Sequence, residues 1–99
     1  MKVRFLKAAM RDMQEIKYYI SKDNPAAAKR LLQKIRKKTK QLVQYPFSGR
    51  IIPETNETHL RELIIDKYRI MYQISNHYIN VFAIYESHRE YSNADDQKI

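Results

Sequence analysis

Three arginines, Arg61, Arg69 and Arg89, are the residues of this 99-residue sequence whose type and spacing best suit chemistry. Each lies in, or shortly after, one of three short runs rich in Ile, Val, Tyr and Phe. A guanidinium is a planar fork that binds two oxygens of one phosphate or carboxylate. We therefore expect function on the surface that these runs form. The alternative is that Arg61 and Arg69 only form surface pairs of small energetic value, with Glu62, Asp66 or Glu86.

The three runs, residues 60–65, 68–74 and 79–85, have the composition of β-strands, because β-branched and aromatic side chains suit a pleated, half-buried surface. The breaks between them are narrow, which predicts an antiparallel meander with tight turns. The middle run alternates regularly, and successive side chains of a strand point to opposite faces. One face is predicted to hold Tyr68, Ile70, Tyr72 and Ile74, and the other Arg69, Met71 and Gln73.

The first half of the sequence predicts one short strand and two helices. The strand is predicted where apolar residues interleave with Lys and Arg, at Val3, Phe5 and Leu6. Residues 8–21 carry one apolar stripe of an amphipathic helix, formed by Ala9, Met13, Ile16 and Ile20, with Tyr19 widening it and Asp12 on the water-facing side. Pro25 suits the first position of a second helix, which Asn24 or Asp23 can cap and which runs from Ala26 to about Gln44.

The order β-α-α-β-β-β predicts an α+β fold, a small and mainly antiparallel sheet with a two-helix hairpin packed on one face. The other face is expected to be open or covered by a partner. Between helix and meander, Gly49, the only glycine, is expected to adopt a positive φ, and residues 51–59 are predicted to form a loop. The domain is predicted to span residues 1–91, followed by a polar tail, residues 92–99.

Composition excludes several classes of function. The sequence has no cysteine, so disulfides and thiolate chemistry are absent, and its three histidines are scattered, which argues against a metal site. No cofactor is expected. No signal peptide is recognisable, and no apolar run approaches the roughly 20 residues that span a bilayer. The predicted location is the cytoplasm, without a membrane partner.

The charge is distributed unevenly. Residues 1–50 carry fourteen Lys and Arg against three Asp and Glu, whereas residues 51–99 carry five against eight. Such asymmetry predicts that the first half meets a polyanion or an acidic protein, and the alternative is a solvated helical face that binds nothing specific. The basic face of the second helix includes Lys34, Lys37 and Lys38.

With its predicted elements in the order β-α-α-β-β-β, the chain resembles the RelE/ParE superfamily of toxins from type II toxin–antitoxin pairs. The residues that carry the resemblance extend over nearly the whole domain. They are the segments 10–20, 24–28 and 45–50, then Arg61-Glu62-Leu63, Tyr68-Arg69-Ile70-Met71-Tyr72 and His88-Arg89. The resemblance implies a toxin that arrests growth until an antitoxin neutralises it.

The superfamily divides by target: RelE-like members cut mRNA in the ribosomal A site, and ParE-like members poison DNA gyrase. A RelE-like chain would be an endonuclease, and the resemblance then places its catalytic cluster at Arg61, Arg69, Arg89, His88 and Tyr91. Cleavage by a ribose 2′-hydroxyl needs a base, cations on the scissile phosphate and an acid at the leaving oxygen. Those side chains would therefore have to converge on one phosphate.

Two features favour the ParE-like, gyrase-poisoning reading. Residues 51–66 lack the lysine pair typical of RelE-like enzymes, and the helical half with segments 24–28 and 46–50 is closer to ParE-like members.

The residues expected to bind the target are Arg50, Arg61, Arg69 and Arg89. An acidic, partly disordered antitoxin segment is expected to bind Lys34, Lys37 and Lys38. A further alternative is a non-toxic nucleic-acid-binding module. Replacing Arg69 or Arg89 by Ala is expected to cost about 1 kcal/mol of stability or less.

Overall fold

The computed structural model describes residues 1–89. Two helices and five strands follow one another along the chain. They are β1 (Lys2–Phe5), α1 (Lys7–Ser21), α2 (Pro25–Lys40), β2 (Arg50–Ile51), β3 (Leu60–Ile65), β4 (Tyr68–Ile74) and β5 (Tyr78–Glu86). The predicted α+β fold is confirmed, and β2 is an additional two-residue strand. The polar tail, residues 92–99, lies outside the described residues.

The five strands form one sheet in the order β1-β5-β4-β3-β2. β3, β4 and β5 are the antiparallel meander that the sequence predicts, and β2 extends it antiparallel to β3. β1 lies parallel to β5 at the opposite edge. The two helices therefore carry the chain from one edge of the sheet to the other.

The larger core lies between the helices and one face of the sheet. Asn24 caps α2, since its Oδ1 accepts a hydrogen bond from the Ala27 amide at 3.1 Å, and Pro25 occupies the first turn. The core joins apolar residues of both helices to one face of the strands, and its members include Ala9, Met13, Leu32, Ile35, Ile70, Tyr72 and Val81. Tyr19 is not part of it and is exposed. Neither described helix has the length and apolar character needed to cross a bilayer.

The centre of the sheet's second face is covered by residues of the chain itself, so the expectation that this face is open or covered by a partner is wrong there. The buried residues of this face form a second cluster, made of Ile52, Met71, Phe82, Ala83 and Tyr85. A register shift between β4 and β5 makes Phe82 an extra residue opposite Met71 and Tyr72. Such a bulge lets neighbouring side chains of β5 join the same cluster. The chain after β2 contributes Ile52 to it.

The helix α2 ends earlier than the apolar pattern predicts. Its α-helical part stops at Lys40, and residues 41–43 continue as a 3-10 turn. The Thr39 hydroxyl donates hydrogen bonds to the carbonyls of Ile35 at 2.8 Å and Arg36 at 3.1 Å. Side-chain bonds of this kind perturb a helix near its end, where 3-10 turns are frequent.

Gly49 is required for a reason other than a positive φ, which the structure does not show. Its φ is −74°, and the positive φ values of the described residues are at Asn56 and Asp66. A Cβ on Gly49 would lie 2.5 Å from the Tyr72 hydroxyl and 2.7 Å from the Glu62 carbonyl oxygen. Only a glycine allows the chain to approach β3 and β4 this closely.

Candidate functional site

The Arg69 side chain, on β4, is 4% exposed and is surrounded by carboxylates. Its Nε donates to Glu62 Oε1 at 2.7 Å. Its Nη1 and Nη2 donate to the two carboxylate oxygens of Glu54 at 2.9 and 2.7 Å, a bidentate pair. The strand register explains the first contact. Arg69 lies opposite Ile64, and Glu62 is two residues before Ile64 on the same strand, so both side chains point to the same face as Arg69.

Glu62 is the buried centre of this network, since its side chain is 0% exposed. Arg50, on β2, lies directly opposite Glu62 and approaches the second carboxylate oxygen, Oε2, through Nε and Nη2, each at 2.6 Å. Each oxygen of Glu62 thus faces its own guanidinium. Such pairing is what allows a carboxylate to be buried without a large free-energy cost.

The same network holds the segment that follows β5. Arg69 Nη1 also donates to the Arg89 carbonyl oxygen at 2.5 Å. The Arg89 guanidinium carbon lies 4.2 Å from the centre of the Tyr85 ring, close enough for a cation–π contact. A shallow cleft of about 380 Å³ is open beside these groups. Its lining includes Arg50, Glu54, Arg69, Ser87, His88 and Arg89.

The charges of Arg69 and Glu54 stabilise each other. The hydrogen bonds to Glu54, and then those to Glu62, raise the pKa of Arg69 against the opposing effect of burial. The hydrogen bonds from Arg69 lower the pKa of Glu54 below its ordinary value. Four of the five N–H donors of Arg69 are used by Glu54, Glu62 and the Arg89 carbonyl. The fork of Arg69 is therefore occupied by the protein itself.

Arg61 is on the other face of the sheet. It pairs with Tyr72 across β3 and β4, on the face that carries the helices. Its Nε donates to the Thr58 carbonyl at 2.8 Å, and its Nη1 to the carbonyls of Phe47 at 3.2 Å and Gly49 at 3.0 Å. The structure thus brings Arg50, Arg69, His88 and Arg89 together and leaves Arg61 apart from them.

The remaining predicted residues lie at the surface or outside the described chain. His88 is exposed, with Nδ1 3.8 Å from Glu86 Oε2, and Tyr91 lies outside the described residues. Lys34 forms a 2.7 Å ion pair with Asp66, while Lys37 and Lys38 are exposed in the last turn of α2. Within residues 1–89, no group of three metal-ligating side chains is close enough to hold an ion.

Comparison with known proteins decides the family. Residues 3–91 match the family described as the ParE toxin of the type II toxin–antitoxin system parDE. The chain belongs to the ParE toxin family. A relative described as putative toxin Y4kP, from Sinorhizobium fredii (strain NBRC 101917 / NGR234), is 33% identical over 92 residues, covering 91% of this chain and 92% of the relative.

The fold of this ParE-family chain also has a solved counterpart. A chain of the chromosomal ParDE TA system from P. aeruginosa matches it with a TM-score of 0.70 and 20% identity, covering 87% of this chain and 95% of that one. This likeness concerns the fold. With the family established, the predicted resemblance is confirmed: the protein is the toxin of a type II toxin–antitoxin system, which implies an antitoxin partner.

Two polar residues of this ParE toxin escaped the sequence reasoning. Glu54 lies in the segment predicted as a loop, where no pattern indicates that its carboxylate turns back to Arg69. Asp12, expected to face water, accepts a hydrogen bond from the Ile84 amide at 2.9 Å through Oδ2. It lines a groove of about 500 Å³ between α1 and the ends of β4 and β5, which Arg89 also lines. A lone Asp on a helix carries no sequence signal for such a contact.

Proposed function

We propose that this ParE toxin arrests growth by poisoning DNA gyrase, acting through binding and without cutting RNA. The observation that carries the proposal is the separation of Arg61 from Arg69. They lie on opposite faces of the sheet, and each guanidinium is engaged by oxygens of its own chain. Membership of the ParE family supports the same target.

The ribonuclease alternative requires a different arrangement. A general base, phosphate-binding cations and a general acid must surround one scissile phosphate, within hydrogen-bonding distance. Among the described residues, Arg61 and Arg69 lie on opposite faces of the sheet and cannot reach the same phosphate. Four N–H donors of Arg69 are already bonded to Glu62, Glu54 and the Arg89 carbonyl. The geometry of residues 1–89 therefore favours a toxin that acts by association.

Direct contact with the target is proposed for Arg50 and Arg89. The Arg50 side chain is 58% exposed even though it pairs with Glu62, and Arg89 is exposed at the same cleft. Arg69 then has a positioning role, because it fixes the Arg89 carbonyl and compensates the charge of Glu62. Arg61 has a similar role on the other face, where it holds the chain between α2 and β2.

The antitoxin is proposed to bind the basic face of α2 through an acidic, partly disordered segment. Lys37 and Lys38 are exposed there, and Lys34 forms an ion pair with Asp66. A disordered segment that folds on binding can cover a large surface, and charge complementarity speeds the encounter. The excess of positive charge in residues 1–50 provides that complementarity.

Induction in growing cells tests the proposal. The expected result is growth arrest with an SOS response and filamentation, while mRNA stays intact and co-expression of the neighbouring gene restores growth. Immediate loss of translation, with cuts at codon positions in mRNA, would reject gyrase as the target. It would instead support the ribosome-dependent ribonuclease.

A further inference from the structure

Two aromatic side chains between α2 and β2 are held at the surface. Tyr45 is 64% exposed and Phe47 is 61% exposed, although both belong to residue types that usually bury their rings. We call residues 43–49 the aromatic corner. Neither ring belongs to the two apolar clusters of the described residues. Single exposed rings are common on protein surfaces, so exposure alone indicates no function. These two rings differ in lying two residues apart on one short segment whose backbone the sheet holds in place.

The backbone of the aromatic corner is fixed by two side chains of the sheet. The Tyr72 hydroxyl donates to the Pro46 carbonyl at 2.7 Å and accepts from the Gly49 amide at 3.0 Å. Arg61 donates to the carbonyls of Phe47 and Gly49, and its guanidinium carbon lies 4.9 Å from the centre of the Phe47 ring. The corner is thus preorganised, which lowers the entropy lost when a partner binds.

An apolar groove with cationic residues adjoins the corner. Its volume is about 450 Å³, and its lining is Lys37, Lys40, Gln41, Val43 and Gln44. Both lysines extend from the last turns of α2, and no acidic side chain is part of this lining. A groove of this composition suits a segment that combines apolar side chains with carboxylates, because lysine stems contact the former and ammonium groups the latter.

We propose that the aromatic corner is the anchor site for an acidic and apolar segment of the antitoxin. This inference rests on the antitoxin partnership proposed above. The corner presents exposed aromatic rings on a fixed backbone, and its residues Val43 and Gln44 also line the groove. Aromatic residues of this kind often dominate the binding energy at an interface. Lys37 and Lys40 match carboxylates and phosphates alike, so the apolar part of the groove decides between the two ligands. It can bury apolar side chains of a peptide, whereas it gives a phosphodiester backbone no hydrogen-bonding partner.

The test compares Phe47→Ser and Tyr45→Ser with a matched control, Tyr18→Ser. Tyr18 is 69% exposed on α1 and lies 4.7 Å below the Lys22 ammonium, so it is also an exposed ring beneath a cation. The probe is the purified product of the gene adjacent to this one, titrated calorimetrically. We expect Kd to rise at least about tenfold for Phe47→Ser and to stay within about twofold for Tyr18→Ser.

Thermal unfolding shows whether each variant remains folded, which we expect because both rings lie outside the core. Unchanged affinity of the folded Phe47 and Tyr45 variants would overturn the anchor site alone. Failure of the wild-type chain to bind the probe would overturn the antitoxin partnership and the anchor site with it. If the variants instead lose binding to a 20-nucleotide single-stranded DNA while antitoxin affinity is unchanged, the corner is a nucleic-acid surface and the proposal is wrong.

Discussion

Glu62 is the residue on which the geometry of the candidate site depends. A carboxylate without solvent exposure costs several kcal/mol unless it is paired and hydrogen-bonded. Arg50 and Arg69 supply both, one at each oxygen. The sequence suggests pairing of Arg69 with Glu62 as an alternative to a functional role. It does not show that the pair is buried, because that depends on Ile52 and Glu54 folding back over the second face.

Arg69→Ala is therefore expected to be far more costly than the sequence suggests. Arg69→Ala removes the donors to buried Glu62 Oε1 and to both oxygens of Glu54, and it leaves Arg50 to balance two carboxylates. We therefore expect a loss of about 3 kcal/mol and a Tm lower by roughly 10 °C or more. The matched control is Arg50→Ala, which removes a half-exposed guanidinium from the same carboxylate and should cost about 1 kcal/mol. Equal and small losses in thermal or urea unfolding would show that the Arg69 pair is not essential to the fold.

Acidification should weaken the same network through Glu54. Its pKa is lower in the folded protein than in the unfolded chain, because Arg69 stabilises the carboxylate. The resulting stability is present above the unfolded pKa, about 4.3, and is lost as the pH falls through the folded pKa. Glu54→Gln should thus lower the free energy of unfolding at pH 7. Below about pH 4 the free energies of unfolding of the variant and the wild type should approach each other, because the wild type has lost the contribution of its carboxylate. Urea unfolding curves that stay equally far apart from pH 7 to pH 3 would contradict this role.

At the scale of elements, the turn between α2 and β2 depends on Gly49 approaching β3 and β4 closely. Gly49→Ala should destabilise the protein by about 1–3 kcal/mol, because its Cβ would overlap the Tyr72 hydroxyl and the Glu62 carbonyl. Ser48→Ala, one residue earlier and exposed, is the control and should change the free energy of unfolding by less than about 0.5 kcal/mol. A thermal unfolding midpoint unchanged by Gly49→Ala would mean that the chain adjusts easily there.

The elements with long, regular patterns could be predicted from the sequence. Pro25 marks the start of α2, because proline suits the first position of a helix. The alternation of apolar residues in β4 indicates a strand of the meander, because successive side chains of a strand point to opposite faces. β2 could not be found this way, since two residues contain no period. The second cluster also depends on non-local contacts, such as that of Ile52 with Met71 and Phe82.

The sequence allows a prediction of which residue types the candidate site contains, but not of how those residues are arranged. Arg50, Arg69 and Arg89 do lie at one cleft, whereas Arg61 is on the opposite face. The face of an arginine follows from strand register, and register depends on pairing that a single strand does not specify. The functional roles of these residues stay predictions.

For the whole molecule, the division into a basic helical half and a mildly acidic second half should govern association with the antitoxin. Lys37→Glu is expected to slow association with the product of the neighbouring gene several-fold at low salt, because steering by charge acts mainly on the association rate. Lys17→Glu, an equal charge change at an exposed position of α1, should have a smaller effect. Stopped-flow rates that respond equally to both variants would indicate a general effect of net charge. A larger effect on toxicity than on association would place the target on α2.

The most direct test of the central claim incubates the purified toxin with DNA gyrase, ATP and supercoiled plasmid, followed by detergent and protease. A gyrase poison holds the enzyme on cleaved DNA. The amount of linear plasmid should therefore increase with toxin concentration, and prior addition of the antitoxin should abolish the increase. If no linear plasmid forms at any toxin concentration, while the same preparation cuts mRNA at codon positions on programmed ribosomes, the account of gyrase poisoning is contradicted.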